Sequence, residues 1–219
     1  MPAVSVIYFS GSGHTTKLAE AVQKGAASVA GVKTNLIAIS GDDIVKGRYQ
    51  NDAVFAQLDA SDAIIFGSPT YMGGPAGQFK VFADATGAKW FASAWRDKIA
   101  AGFTVSNSPS GDKFSTLQYF FTLAMQHGMI WVGLGEMPHQ PNGINHVGSF
   151  SGVMGVAGHE PTDVAPNEAD KKTGEILGQR VAGYAVKLKK LGRPALPVPG
   201  LRETITEPLL TTRPNPARG

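Results

Sequence analysis

The chain has no cysteine among its 219 residues, which excludes disulfides, thiolate nucleophiles and cysteine-ligated metals or clusters. No apolar run approaches the roughly 20 residues that span a bilayer, so membrane insertion is not expected. No basic segment precedes the first apolar run, so no signal peptide is read there, and the cytoplasm is the expected compartment. Residues 1–170 carry 10 Lys and Arg against 14 Asp and Glu, whereas residues 171–219 carry 10 against 3. The pI of about 9.1 therefore belongs to the end of the chain. The body lacks the basic face interleaved with aromatics that nucleic acid requires, so no nucleic-acid partner is expected. His139, His146 and His159 lack ligand spacing, and no metal is expected. Paired carboxylates and a serine triad are also missing.

What is present begins at Ala3–Lys17, AVSVIYFSGSGHTTK. An apolar run stops at Ser10, a loop of small residues follows, and a helical pattern starts near His14. A strand that feeds through such a loop into a helix N-terminus offers backbone N–H groups and a dipole to an anion. No Gly precedes Lys17 and Leu18 follows it, so the Walker A pattern fails. Thr16 stands where a dinucleotide fingerprint has its third glycine. With no cation before Lys17, the loop suits a shielded phosphate monoester.

Strand-like runs recur at Val4–Phe9, Lys33–Ile39, Ala63–Gly67, Ile99–Val105 and Met129–Gly133. Helical spacing appears at Thr15–Val29, Asp52–Leu58, Gly77–Thr86, Phe114–Gln126 and Asn167–Leu191. This alternation predicts an α/β doubly wound, five-stranded parallel sheet with helices on both faces. Gly133–Gly152 reads as an insertion that splits the last strand before Val153–Ala157. Residues 1–191 are expected to form one domain, and residues 192–219, with six prolines, a proline-rich tail. In such a sheet the loops after strands one, three and four converge beyond the strands' carboxyl ends. They are Ser10–Thr16, Ser68–Gln78 and Ser106–Lys113, here the first, second and third loops. Rich in Gly, Ser, Thr, Pro and Asn, they suit a planar heteroaromatic ligand read by main-chain groups. Phe114, Phe120 and Phe121 read as core, and Trp95 as a core or interface aromatic.

Three segments carry a family resemblance: SGSGHTTKLAEAV, DAIIFGSPTYMGGPAGQFKVFADATG and FTLAMQHGMIWVG. Through them the chain, from about Val4 to Leu191, resembles flavodoxin-fold FMN proteins, and among these the WrbA-type NAD(P)H:quinone oxidoreductases. The resemblance implies strand order 2-1-3-4-5. It also implies FMN as cofactor, NADH or NADPH as hydride donor, a small-molecule quinone as acceptor, and a homotetramer built as a dimer of dimers. The implied activity is ping-pong two-electron reduction of quinones, with hydride passing through flavin N5. The alternatives are a flavodoxin-like electron-transfer protein and an NAD(P)H-dependent FMN reductase.

Carried onto this chain, the resemblance assigns the FMN phosphate to Ser10, Gly11, Ser12, Gly13, His14 and Thr15, with His14 capping or shielding it. Pro69, Thr70, Tyr71, Met72 and Gly73 would lie along the isoalloxazine. Ser106, Asn107, Ser108, Pro109, Ser110 and Gly111 would contact its pyrimidine edge and the ribityl chain. Trp90 and His127 would border a substrate cavity that neighbouring subunits complete. No side chain is expected to be catalytic, because the flavin carries the chemistry. Three positions depart from the family pattern: Ser12 replaces an aromatic residue, Tyr71 an arginine, and SNSPSGDK a run of glycines. These changes bear on the nicotinamide contact more than on FMN.

Overall fold

The computed structural model describes residues 1–138 and 140–192. His139 and residues 193–219, which hold nearly all of the expected tail, lie outside the described residues. Along the chain run β1 (Ala3–Tyr8), α1 (His14–Ala27), β2 (Lys33–Ala38), β3 (Ile44–Val45), β4 (Arg48–Tyr49), α2 (Asp52–Asp59) and β5 (Ala63–Tyr71). Then follow β6 (Gly74–Pro75), α3 (Gly77–Ala85), α4 (Gly87–Phe91), β7 (Ile99–Ser106), α5 (Lys113–Gln126), β8 (Ile130–Trp131), β9 (Val153–Val156) and α6 (Glu168–Leu191).

The main sheet runs β2-β1-β5-β7-β8, with β9 also on β7. This is the expected order, and β8 and β9 share its last position. β8 pairs with Ile99 and Ala100 of β7, and β9 with Phe103–Ser106, all parallel. The expected count of five strands is corrected to seven, because the last strand is split and β6 adds an antiparallel partner to β5. The second loop is corrected as well. Ser68 and Pro69 still pair with Thr104 and Val105, so the strand runs on to Tyr71 before turning.

Alternation along the strands divides the core between the two faces. Val4, Val6, Ile65 and Phe103 pack under α1 and α6 with Leu18, Val22, Leu177 and Val181. Ile7, Ile64, Phe66 and Ala100 pack on the other face with Leu58, Phe79, Phe82, Leu117 and Phe120. Central strands covered on both sides read as continuous apolar runs, as Ala63–Phe66 does. Glycine sets the spacing of α1 against α6. A Cβ on Gly25 would lie 1.8 Å from the Glu175 carbonyl oxygen, and one on Gly178 would lie 1.9 Å from that of Val22. The two helices therefore touch backbone to backbone, which fixes where the N-terminus of α1 points.

Phe120 is fully buried, but Phe114 is 56% and Phe121 38% exposed, which corrects the expectation that all three are core. They lie on the flank of α5 beside the short edge strand β8. Trp95 is fully buried, and its indole Nε1 donates to Asp59 Oδ1 at 2.8 Å.

Candidate functional site

β1 ends at Tyr8, and the chain turns through Ser10–Gly13 into α1. Gly13 makes that turn at φ +93°, and a Cβ there would lie 2.9 Å from Thr162 Cγ2. Only glycine tolerates both constraints. Ser10 Oγ accepts from Gly13 N at 3.0 Å and Thr16 N at 3.3 Å, which tightens the loop. Among the described residues, the N–H groups of Gly11, Ser12, His14 and Thr15 have no protein acceptor. Four donors at a helix N-terminus form a cradle for an anion without any cation. Lys17 does not enter it, since it pairs with Glu20 on the surface at 3.2 Å.

His14 is buried. Its Nδ1 is 3.0 Å from Ser12 Oγ, and its Nε2 is 2.7 Å from the Glu160 carbonyl oxygen. Nε2 is therefore the protonated nitrogen, and Ser12 donates to Nδ1. The ring bolts the segment after β9 onto the first loop. Glu160 Oε2 in turn accepts from Gly158 N at 2.7 Å. Backbone N–H groups of Glu160 and Gly158 hold its carboxyl below the usual carboxylate range, with His14 and His159 adding to the effect.

The second loop forms a hairpin. Met72 and Gly73, at φ +48° and +73°, make the tight turn between paired Tyr71 and Gly74. Ser68 Oγ receives Ala76 N at 2.9 Å and anchors its base. Thr70 Oγ1 lies 2.8 Å from both Thr104 and Thr116 Oγ1, a buried hydroxyl cluster joining β5, β7 and α5. Tyr71 is half exposed and reaches across to the first loop, where a Cβ on Gly11 would lie 2.5 Å from its hydroxyl. Ser115 Oγ lies 2.6 Å from Gly73 O and 2.5 Å from Asp112 O, so its one proton is shared between the tip of the hairpin and the start of α5.

The third loop folds over a buried lysine. Lys113 Nζ donates to Ser106 Oγ at 3.0 Å and to Ser108 O at 2.6 Å, and its side chain is wholly enclosed. Gly111, at φ +52°, lies so close to Ser106 Oγ that a Cβ would be 2.2 Å away. Among the described residues, the N–H groups of Asn107, Ser108, Ser110 and Gly111 have no protein acceptor. A cavity of about 1110 Å³ opens on the β9 side of this loop, between Ser110, Phe114, His146, Phe150 and Glu160.

Seventeen of the expected residues thus gather at one end of the sheet: Ser10–Thr15, Pro69–Gly73 and Ser106–Gly111. Trp90 and His127 do not join them within one chain. His127 precedes β8, which pairs with the first residues of β7, roughly 25 Å along that strand from the third loop. Its Nε2 meets Thr86 Oγ1 at 2.9 Å, and its ring lies 4.6 Å from that of Trp95. Trp90 is half exposed on α4, which starts one residue after Thr86. Burial lowers the His127 pKa to about 4.

Lys113, Glu160, Thr104, Thr116 and Ser115 were not expected at the site. Only Lys113 had a signal, as the one cation of the third loop and its last residue.

An anion cradle at the first crossover, beside two uncharged loops on a 2-1-3-4-5 sheet, defines a flavodoxin-like protein. Comparison with known proteins is more specific. Residues 4–138 match the family described as NADPH-dependent FMN reductase, and the chain belongs to that family. It is 38% identical to Flavodoxin FldP of Pseudomonas aeruginosa, over 86% of this chain and 99% of that protein. It is 34% identical to an NAD(P)H dehydrogenase (quinone) of Geotalea daltonii, over 84% of this chain and 97% of that one. Among solved structures, the flavodoxin, WrbA-like protein from Agrobacterium tumefaciens is 41% identical, with a TM-score of 0.67. That match covers 85% of this chain and 99% of the other. The chain is thus a flavodoxin-fold protein close to WrbA.

Proposed function

We propose that the protein is an FMN-dependent NAD(P)H:quinone oxidoreductase. The observation that carries this reading is the meeting of three loops of mostly small, uncharged residues, with N–H groups unpaired among the described residues, at the carboxyl ends of β1, β5 and β7. FMN fits them. The first loop would hold a phosphate through the Gly11, Ser12, His14 and Thr15 N–H groups and the α1 dipole, and Gly11 and Gly13 keep its backbone close to Tyr71 and Thr162, where a Cβ would collide. The third loop offers N–H donors to the carbonyls of the pyrimidine edge, and the Tyr71–Gly73 hairpin supplies a wall.

When bound, FMN supplies the redox chemistry: NAD(P)H, a quinone and one proton yield NAD(P)⁺ and the quinol by two successive two-electron transfers. The chain's residues hold, orient and shield. His14 and Glu160 lock the phosphate loop under the segment after β9. Ser115 and the hydroxyls of Thr70, Thr104 and Thr116 fix the hairpin against α5, so the wall does not depend on a flexible side chain. No general acid or base is called for.

A homotetramer accounts for the placement of Trp90 and His127 away from the loops of their own chain, because a neighbouring copy can bring them to the site. Half-exposed Trp90, Phe91, Phe114 and Phe150 support such association. The 38% identity to a flavodoxin favours a second reading, an FMN electron carrier without substrate turnover. Titration of the protein with FMN, followed by flavin fluorescence, tests the common basis of both. The wild type should quench FMN stoichiometrically, and G13A should raise the Kd at least about tenfold, because its φ and its contact with Thr162 both exclude a Cβ. A wild type that takes up no FMN would sink both readings.

A further inference from the structure

A cation is buried behind the third loop, and among the described residues no carboxylate is in hydrogen-bond contact with it. Lys113 is wholly enclosed, and its Nζ bonds are to a hydroxyl and a carbonyl of that loop. A lysine is costly to bury, and one used only to begin a helix would lie in solvent. Its effect on the loop is directional. Nζ draws the Ser108 carbonyl and Ser106 Oγ inward, and the N–H groups of Asn107, Ser108, Ser110 and Gly111 are left without protein acceptors. The loop therefore presents donors backed by a positive charge. Such a surface is complementary to an edge of carbonyl and imide groups, and more so when that edge becomes negative.

We propose that Lys113 is a positioning residue that makes the third loop favour reduced FMN over oxidised FMN. The inference rests on the FMN reading above. Transfer of one hydride from NAD(P)H, with NAD(P)⁺ as the other product, leaves the bound isoalloxazine one charge more negative, and that charge spreads over the pyrimidine edge. In a desolvated loop the lysine's charge is felt more strongly than in water. The other charged groups nearby set its net field. Asp170 of α6 acts on it through space, but the Asp170 carboxylate is already held by His146 Nε2 at 2.8 Å and Val156 N at 3.0 Å. Asp112, on the same turn, is exposed, and Glu160 lies across the adjoining cavity. Burial lowers the Lys113 pKa to about 8, against a smaller opposing effect of Asp170.

The test is the two-electron midpoint potential of FMN on the wild type and on Lys113→Gln, with the Kd for oxidised FMN measured alongside. Glutamine keeps a donor for Ser108 O and removes the charge. K113Q should bind oxidised FMN within a few-fold of the wild type and reduced FMN at least about tenfold more weakly, a potential lower by about 30 mV. A potential equal to that of the wild type overturns the proposal while leaving FMN binding intact. A wild type without FMN affinity instead overturns the reading beneath it.

If K113Q does not fold, the wild type decides. Its potential plotted against pH should steepen above about pH 8, where reduction restores the proton of Lys113 and one extra proton is taken up per electron pair. A slope that does not change there overturns the proposal.

Discussion

His127 shows how one side chain couples packing to pH. Thr86 Oγ1 donates to Ala83 O at 2.6 Å, so it can only accept from His127 Nε2, which fixes the tautomer. Nδ1 is then a buried lone pair without a partner, and protonation there would charge a group packed against Trp95. Burial holds the folded-state pKa near 4, below the ordinary histidine value of 6.5, so between these values the unfolded chain binds more protons. Stability should therefore fall as pH drops from 6.5 towards 4, by about 3 kcal/mol in total. Urea melts across this range should show the loss in the wild type and a flatter profile in H127Q; equal profiles would contradict the burial argument. The contacts that fix the loops were not legible locally. Glu160 meets His14 across 146 positions of sequence, a contact only the fold creates. Lys113 was read only as the last residue of the third loop, and its burial depends on how that loop closes.

Among the elements, α1 and α6 depend most on each other. Gly25 and Gly178 let their backbones touch, so any Cβ at either site must push the helices apart. G178A should lower stability by about 2 kcal/mol and Tm by roughly 6 °C in thermal melts. It should also weaken FMN binding if, as proposed, the N-terminus of α1 holds the phosphate. An unchanged Tm would mean the crossing is looser than described. The helices were legible from their 3.6-residue spacing, and all five expected ones begin and end within two residues of expectation, while the short α4 was not foreseen. The insertion was legible from its glycines and prolines between Gly133 and Gly152. The extension of β5 through Ser68–Tyr71 was not, because Ser, Pro and Thr read as loop residues. Pairing with β7 and the buried hydroxyl cluster overrode that local preference. The exposure of Phe114 and Phe121 was hidden because helical spacing shows a stripe without showing which neighbour covers it.

For the whole molecule, strand order and site follow from the same arrangement. Placing β1 between β2 and β5, with β7 beyond, brings three loops together that lie far apart in sequence. Their small residues, with the only acid and lysine at the end of the third loop, led to the reading of a site for a flat ring system beside a phosphate. Trp90 and His127 lie at the other end of the sheet, so on the proposed reading a neighbouring copy would have to bring them to the site. The two functional readings differ in what the loaded protein does with a nicotinamide, and anaerobic stopped-flow on the FMN-bound protein addresses that directly. An oxidoreductase predicts fast bleaching of the 450-nm flavin band by NADH or NADPH, then recovery on mixing with benzoquinone, each step at least as fast as steady-state turnover. Failure of both nicotinamides to bleach the bound flavin, with ready reduction by a one-electron donor, would contradict the account and leave an electron carrier.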